Sequence, residues 1–219
     1  MNLFKETIVL LRKEALLELR MNYAISGILL YVFSTVFIVY VAFVQMQAQV
    51  WNTLFWIITL FASVNAIVKS FVQENSARQL YFYSIANPIA ILLSKIIYNT
   101  LLLLVLSVLC WMGLGLVGGN PVKDVGQFVL AIFLASTGFS ITFTFISAIS
   151  AKADNSATLM AILSFPLVIP ILMTLIKLSA NALRLLNDTG VMQDVWTLVG
   201  IDLMLLAVAL VLYPFLWKD

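Results

Sequence analysis

The chain contains no histidine and only one cysteine, Cys110. Without imidazole it lacks the commonest metal ligand and the commonest general base of enzymes. A single cysteine excludes an intramolecular disulfide. The phosphate-binding pattern GxxxxGK[ST] is also absent. We find no serine in a nucleophile elbow and no paired carboxylates within one apolar segment, so a membrane-embedded enzyme is a poor interpretation.

The chain also has few charged residues. Only 10% of the 219 residues are charged and 63% are hydrophobic, whereas soluble domains average about 25% charged and about 45–50% apolar residues. These values predict an integral membrane protein built from α-helices. No polar block is long enough for a second domain, so residues 1–219 are predicted to form a single transmembrane domain. The net charge of +2 gives no indication of a nucleic-acid partner.

The charge-free runs predict six membrane spans. Residues 21–68 carry no charge, and one helix of that length would measure about 72 Å, more than twice the ~30 Å hydrocarbon core. That run is therefore divided at the polar residues 45–49. The predicted spans are residues 24–44, 51–70, 92–116, 126–150, 156–177 and 196–216.

Residues 2–20 are predicted to form an amphipathic helix that precedes the first span. Phe4, Ile8, Leu11 and Ala15 recur at helical spacing, and charged residues flank them. We expect this helix to lie on the membrane surface, with that apolar face towards the lipid.

The lysines and arginines are unevenly divided between the two sides of such a bundle. Nine of the 12 fall on the side of the N-terminal helix, the connections between spans 2 and 3 and between spans 4 and 5, and the C-terminus. The positive-inside rule places that side, with both termini, in the cytoplasm.

The longest polar interruption on the cytoplasmic side is residues 69–95, and it contains the main candidate site. Glu74 and Arg78 stand four apart, in the order that supports a helical turn. An apolar-aromatic patch follows. We predict a short helix at about residues 73–84 that docks on a soluble partner, although a helix on the membrane surface and a solvated connecting loop remain alternatives. The candidate partner-binding residues are Gln73, Glu74, Arg78, Leu80, Tyr81, Phe82 and Tyr83.

Spans 4 and 5 carry two further features. Ser136, Ser140, Thr144 and Ser147 share one face of span 4, either as a polar seam facing a conduit or a mobile helix, or as small residues that allow close helix packing. Pro166 and Pro170 interrupt the hydrogen-bond ladder of span 5. They predict a bend that serves either as a hinge or as a fixed structural feature.

Asp202 is the one carboxylate inside a predicted span. It lies some five residues into residues 196–216. At that depth we expect an interfacial carboxylate in contact with water. A functional site is the alternative, because ionisable groups within membrane spans are usually functional.

Two stretches resemble the CcmB family, the permease subunits of cytochrome c maturation transporters. In ENSARQLYFYSIANPIAILLSK, the resemblance rests on Glu74, Ser76, residues 80–84 and Lys95. In SATLMAILSFPLVIPILM, it rests on Pro166 and Pro170.

The resemblance implies an ABC-2-type permease fold and a place in a complex of the bacterial inner membrane. The partners implied are a cytoplasmic ATP-binding subunit, a tryptophan-rich haem-handling membrane subunit, a small single-span subunit, a periplasmic haem chaperone and a second copy of this chain. No cofactor is implied in this chain, since ATP and Mg²⁺ belong to the partner and haem is handled by the complex. Two alternatives remain: an ABC-2-type exporter of a lipid, glycan or drug, and a membrane scaffold without an ATPase partner.

Overall fold

The structure is a computed structural model that describes residues 3–20, 22–43, 46–67, 87–151, 156–186 and 190–217. In that part of the chain every regular element is helical. The elements are α1 (Leu3–Arg20), α2 (Asn22–Ala42), α3 (Ala48–Ile67), α4 (Pro88–Gly118), α5 (Val125–Ser150), α6 (Ser156–Ala182), α7 (Val191–Leu212) and a 3₁₀-helix (Tyr213–Trp217).

Five helices, α3 to α7, are long and apolar enough to cross a membrane, with α7 continuing through the 3₁₀-helix to residue 216. They confirm the prediction of an all-α integral membrane protein. The apolar segment of α2, Ser26–Ala42, is shorter than these five. The sixth crossing and the ABC-2-type arrangement therefore stay predictions.

The ends of α4 and α5 follow from their capping residues. The side chain of Asn87 accepts a hydrogen bond from the backbone N–H of Ile89 at 2.9 Å, and Pro88 occupies the first helical position, where its missing N–H costs nothing. At the other end, Gly119 has φ 76°, which favours glycine. Asp124 then caps α5 by accepting from the N–H of Gln127 at 3.0 Å. These caps start α4 four residues before the predicted span, and they make it 31 residues long.

Helix α5 is the centre of the bundle, and it packs against α3, α4, α6 and α7. Its sequence explains this place, because it contains no charged residue and its buried side includes Ala135, Gly138 and several hydroxyl residues. Small residues let helix backbones approach closely within a bilayer, where the hydrophobic effect gives little attraction between helices.

We name the two ends of the bundle after the connections between helices that lie there. The turn end is where α4 finishes and α5 begins, at residues 119–124. The loop end is where α3 finishes and α4 begins, at Ile67 and Asn87. At the turn end, the backbone N–H groups of Lys123 and Asp124 donate to the carbonyl of Ala182, at 3.2 and 2.9 Å. The last turn of α6 is thereby satisfied and fixed to the α4–α5 turn.

Candidate functional site

The predicted docking residues, Gln73, Glu74, Arg78, Leu80, Tyr81, Phe82 and Tyr83, lie outside the described residues. The structure does describe both flanks of this stretch, at Ile67 and Asn87, and both belong to the loop end. The candidate site is therefore built from the helices that meet at the loop end, above all α1 and the first turns of α4.

Helix α1 is attached to the exact start of α4. The carboxylate of Glu6 accepts a hydrogen bond from the backbone N–H of Asn87 at 2.7 Å. One turn further along, Leu10 packs with Ala90 and Ile91 in a small apolar cluster. The N–H of Asn87 precedes the helix and would otherwise lack an intrahelical partner, so Glu6 satisfies a donor at the point where the polar connection ends.

A second polar link lies two turns deeper. The Nζ of Lys95 is 3.4 Å from Oε2 of Glu14, and Lys13 approaches the other oxygen of that carboxylate at 3.2 Å. The side chain of Lys95 is only 2% exposed and that of Glu14 is 14% exposed. A lysine so deeply buried is expected only with a charged partner, and the loop end supplies one from a helix 81 residues away in the chain.

The spacing of these contacts shows how α1 lies. Glu6 with Asn87 and Glu14 with Lys95 both join positions 81 residues apart. The two pairs are eight residues apart on each helix, so α1 and the start of α4 run side by side in the same direction over about 12 Å.

This packing determines which face of α1 is buried. Thr7 and Leu10 are buried against the bundle, whereas Phe4 and Ile8, from the predicted lipid-facing set, are exposed. Leu11 and Ala15 are half-buried. An apolar face thus remains available to lipid, whereas Glu6, which is half-buried, and Glu14, which is mostly buried, both bind the protein.

The predicted polar seam lies in the α4–α5 contact. Ser136, Ser140, Thr144 and Ser147 are all buried. The hydroxyl of Ser140 donates to the carbonyl of Ile96 at 2.8 Å, and the amide of Asn99 donates to the hydroxyl of Thr144 at 2.8 Å. Ser136 donates to Ile132 within its own helix, at 2.8 Å. Ser140 and Thr144 of the seam therefore join α5 to α4, directly after the turns of α4 that hold α1.

The prolines at 166 and 170 both lie within α6, on an exposed face. Beyond them the helix is held from several sides. Asn52 donates to the carbonyl of Ile176 at 3.1 Å, Trp56 to the hydroxyl of Ser179 at 2.7 Å, and Gln127 to the carbonyl of Leu178 at 3.1 Å. The prolines thus separate a fixed segment at the turn end from the half of α6 that approaches the loop end.

The expectation for Asp202 is wrong. Because α7 begins at Val191 and not at residue 196, Asp202 lies eleven residues from the start of the helix, about 16 Å along it. The residue is 8% exposed, and Oδ2 is 3.1 Å from the hydroxyl of Thr137 on α5. The carboxyl group is buried between helices and does not reach an interface.

The described residues include no group of three or more His, Cys, Asp or Glu that could hold a metal ion. The described polar groups at the loop end form helix-to-helix links. They attach α1 and α5 to the first turns of α4.

Comparison with known proteins agrees with this architecture. The family model described as CcmB protein matches residues 5–218, which is nearly the whole chain. The chain matches neither a curated protein nor a solved structure. The extent of the family match and the five long apolar helices show that this chain belongs to the CcmB family, the multi-pass inner-membrane subunits of haem-exporter ABC transporters for cytochrome c maturation.

Proposed function

We propose that the chain is a permease subunit that couples ATP hydrolysis, carried out by a separate cytoplasmic subunit, to the delivery of haem or the release of a haem-loaded periplasmic chaperone. In this proposal the ATP-binding subunit docks on residues 73–84. Its movement enters the membrane domain where this segment joins α4, at Asn87.

The attachment of α1 to the start of α4 is the observation that carries the proposal. Glu6 and Glu14 bind α4 at Asn87 and Lys95, so a displacement of the polar connection at Asn87 would move α1 and the first turns of α4 together. The bonds from Ser140 and from Asn99 to Thr144 would pass that displacement on to α5, the central helix.

The proposed topology has six spans and both termini in the cytoplasm. Helix α2 supplies the sixth span, and the loop end faces the cytoplasm because most lysines and arginines lie there. The exposed Phe4 and Ile8 of α1 would rest against lipid at that surface. All 219 residues then form one permease domain of ABC-2 type.

The proposed assembly follows from the family. It contains two copies of this chain, the ATP-binding subunit with its ATP and Mg²⁺, a tryptophan-rich haem-handling membrane subunit, a small single-span subunit and the periplasmic haem chaperone. Haem is a substrate of the complex, and this chain itself holds no cofactor.

The docking segment can be tested by removing its aromatic side chains. Interface cores are enriched in aromatic anchors, and truncation of one such anchor typically costs ~2 kcal/mol or more. We expect Tyr81→Ala/Phe82→Ala to release the ATP-binding subunit during purification in mild detergent, or to abolish stimulation of its ATPase activity. Glu74→Gln is the matched control with a mild effect, because charges at an interface rim contribute less. Wild-type recovery of the subunit with normal stimulation in the double variant would rule out this docking site.

A second prediction concerns haem itself. Because the chain has no histidine, we expect the purified chain, separated from its partners, to show no stoichiometric Soret band after incubation with haem, whereas the complex with the haem-handling subunit should show one. A one-to-one haem complex of the isolated chain, seen as a Soret band, would mean that another side chain is an axial ligand. It would contradict the proposal that this chain itself holds no cofactor.

A further inference from the structure

A buried carboxyl group lies midway along α7, in contact with α5. Asp202 is 8% exposed, and its Oδ1 has no hydrogen-bond partner in the described part of the chain. A Cβ added to Gly138 would lie 2.5 Å from that Oδ1. Any larger residue at position 138 would therefore displace the carboxyl group from its present contact with α5.

No cation among the described residues lies beside this carboxyl group. Helix α5 has no ionisable side chain at all, and α6 contributes only Lys177. The Nζ of Lys177 is 3.1 Å from Oδ1 of Asp194, eight residues or about 12 Å before Asp202 along α7. The 3₁₀-helix contributes Tyr213, eleven residues or about 16 Å further along. An ionised carboxylate buried without a cation is unfavourable, above all within a membrane span.

The hydroxyl group of Thr137 has more neighbouring acceptors than hydrogens. Its Oγ1 is 2.9 Å from the carbonyl of Leu134, 3.2 Å from the carbonyl of Phe133 and 3.1 Å from Oδ2 of Asp202. A hydroxyl group has one hydrogen to donate, and a carbonyl can only accept. If the hydroxyl donates to the shorter contact, the contact with Asp202 is favourable only when the carboxyl group supplies a hydrogen of its own.

We propose that Asp202 is a proton-binding site, in which the buried carboxyl group donates its hydrogen to Thr137 Oγ1 while α5 and α7 are packed together. Separation of α7 from Gly138 and Thr137 would admit water to the group, which then loses its proton. The site is thus a link between protonation and the α5–α7 contact. It goes beyond the proposed function and does not require an ATP-binding partner.

An apolar carbodiimide tests this directly, because it reacts with protonated carboxyl groups and enters the lipid phase. We expect dicyclohexylcarbodiimide to form an adduct on Asp202 of the full chain in liposomes, located by mass spectrometry of its peptides. Above the midpoint, the yield should fall about tenfold per pH unit, as the protonated fraction does. Asp194 is the matched control on the same helix, and it should stay unlabelled because it pairs with Lys177. No adduct on Asp202, or a yield independent of pH, would contradict the proposal.

Infrared spectroscopy provides a second measurement that needs no reagent to reach the site. At about pH 5, above the ordinary range of an aspartate, Asp202→Asn should remove a protonated-carboxyl C=O band from the spectrum of the full chain, whereas Asp194→Asn should remove carboxylate bands. Loss of carboxylate bands in Asp202→Asn would show that Asp202 is ionised and would overturn the proposal. The carbodiimide labelling is measured on the unaltered chain, so the test stands even if Asp202→Asn fails to fold.

Discussion

Glu14→Gln is expected to lower the stability of the purified protein and to abolish cytochrome c maturation, although Glu14 lies in an N-terminal helix outside the predicted spans. The substitution takes a carboxylate away from Lys95, whose side chain is 2% exposed. Removal of one partner from a buried ion pair typically costs about 3–5 kcal/mol. Because Lys95 has a further contact in the protein, we expect a loss below this range. The loss should appear as a lower melting temperature in mild detergent and as a loss of mature cytochrome c in cells.

Two further variants distinguish the effect of breaking the buried Glu14–Lys95 pair from the effect of changing the charge of α1. Lys13→Gln removes the other cation beside Glu14, but the side chain of Lys13 is 23% exposed, and exposed pairs typically contribute about 0–1 kcal/mol. In Glu14→Met/Lys95→Met the buried charge is gone as well, and replacement of a buried pair by apolar groups is often neutral. We therefore expect a small effect of Lys13→Gln and a recovered melting temperature in the double variant. Equal effects of Glu14→Gln and Lys13→Gln would contradict a special role for Lys95.

The functional consequence of this pair depends on the position of α1. Because α1 runs along the first turns of α4, loss of the Glu14 link should loosen the two helices from each other even when the chain still reaches the membrane. Stimulated ATPase activity of the complex would then persist while maturation fails. Such uncoupling distinguishes a defect in transmission from a failure to assemble, in which the ATP-binding subunit would no longer co-purify.

The helices could be predicted from the sequence because lipid imposes a simple rule on composition. A charge-free run must be helical and must match the bilayer thickness, so the apolar stretches lie where α3 to α7 are found. The ends were less predictable. Helix α7 begins at Val191, and its first turn contains Asp194, which pairs with Lys177 of α6. The predicted span began after this carboxylate because it was defined by charge-free residues.

The contacts of the candidate site could not be read from the sequence for a different reason. Glu14 and Lys95 are 81 residues apart, and the local sequence around either residue does not predict that the two pair. One signal was present, since a lysine within an apolar run usually has a partner. The burial of Asp202 could not be predicted because it depends on packing against Gly138, a residue without a side chain whose position gives no pattern in the sequence.

Pro166→Ala/Pro170→Ala is expected to leave the protein at least as stable as the wild type, yet to abolish cytochrome c maturation. Both prolines lie inside α6 on an exposed face, so no buried packing is lost. Proline in a helix interior is about 3 kcal/mol less favourable than alanine, and the variant regains two backbone hydrogen bonds. The helix would then become straighter and stiffer between its fixed end near Ser179 and the loop end.

This prediction follows from the attachment of α6 at the turn end. Trp56 and Asn52 hold the helix beyond Pro170, so any movement of its loop-end half must be accommodated at the prolines. Pro121→Ala is the matched control, because Pro121 lies in the α4–α5 turn outside every helix; it should mature cytochrome c normally. Three quantities are measured for each variant: the amount of mature cytochrome c in cells, the melting temperature of the purified protein, and the subunits that co-purify with it. Full maturation in Pro166→Ala/Pro170→Ala would contradict the prediction. It would show that cytochrome c maturation does not require a bend in α6 and that the two prolines have only a structural role.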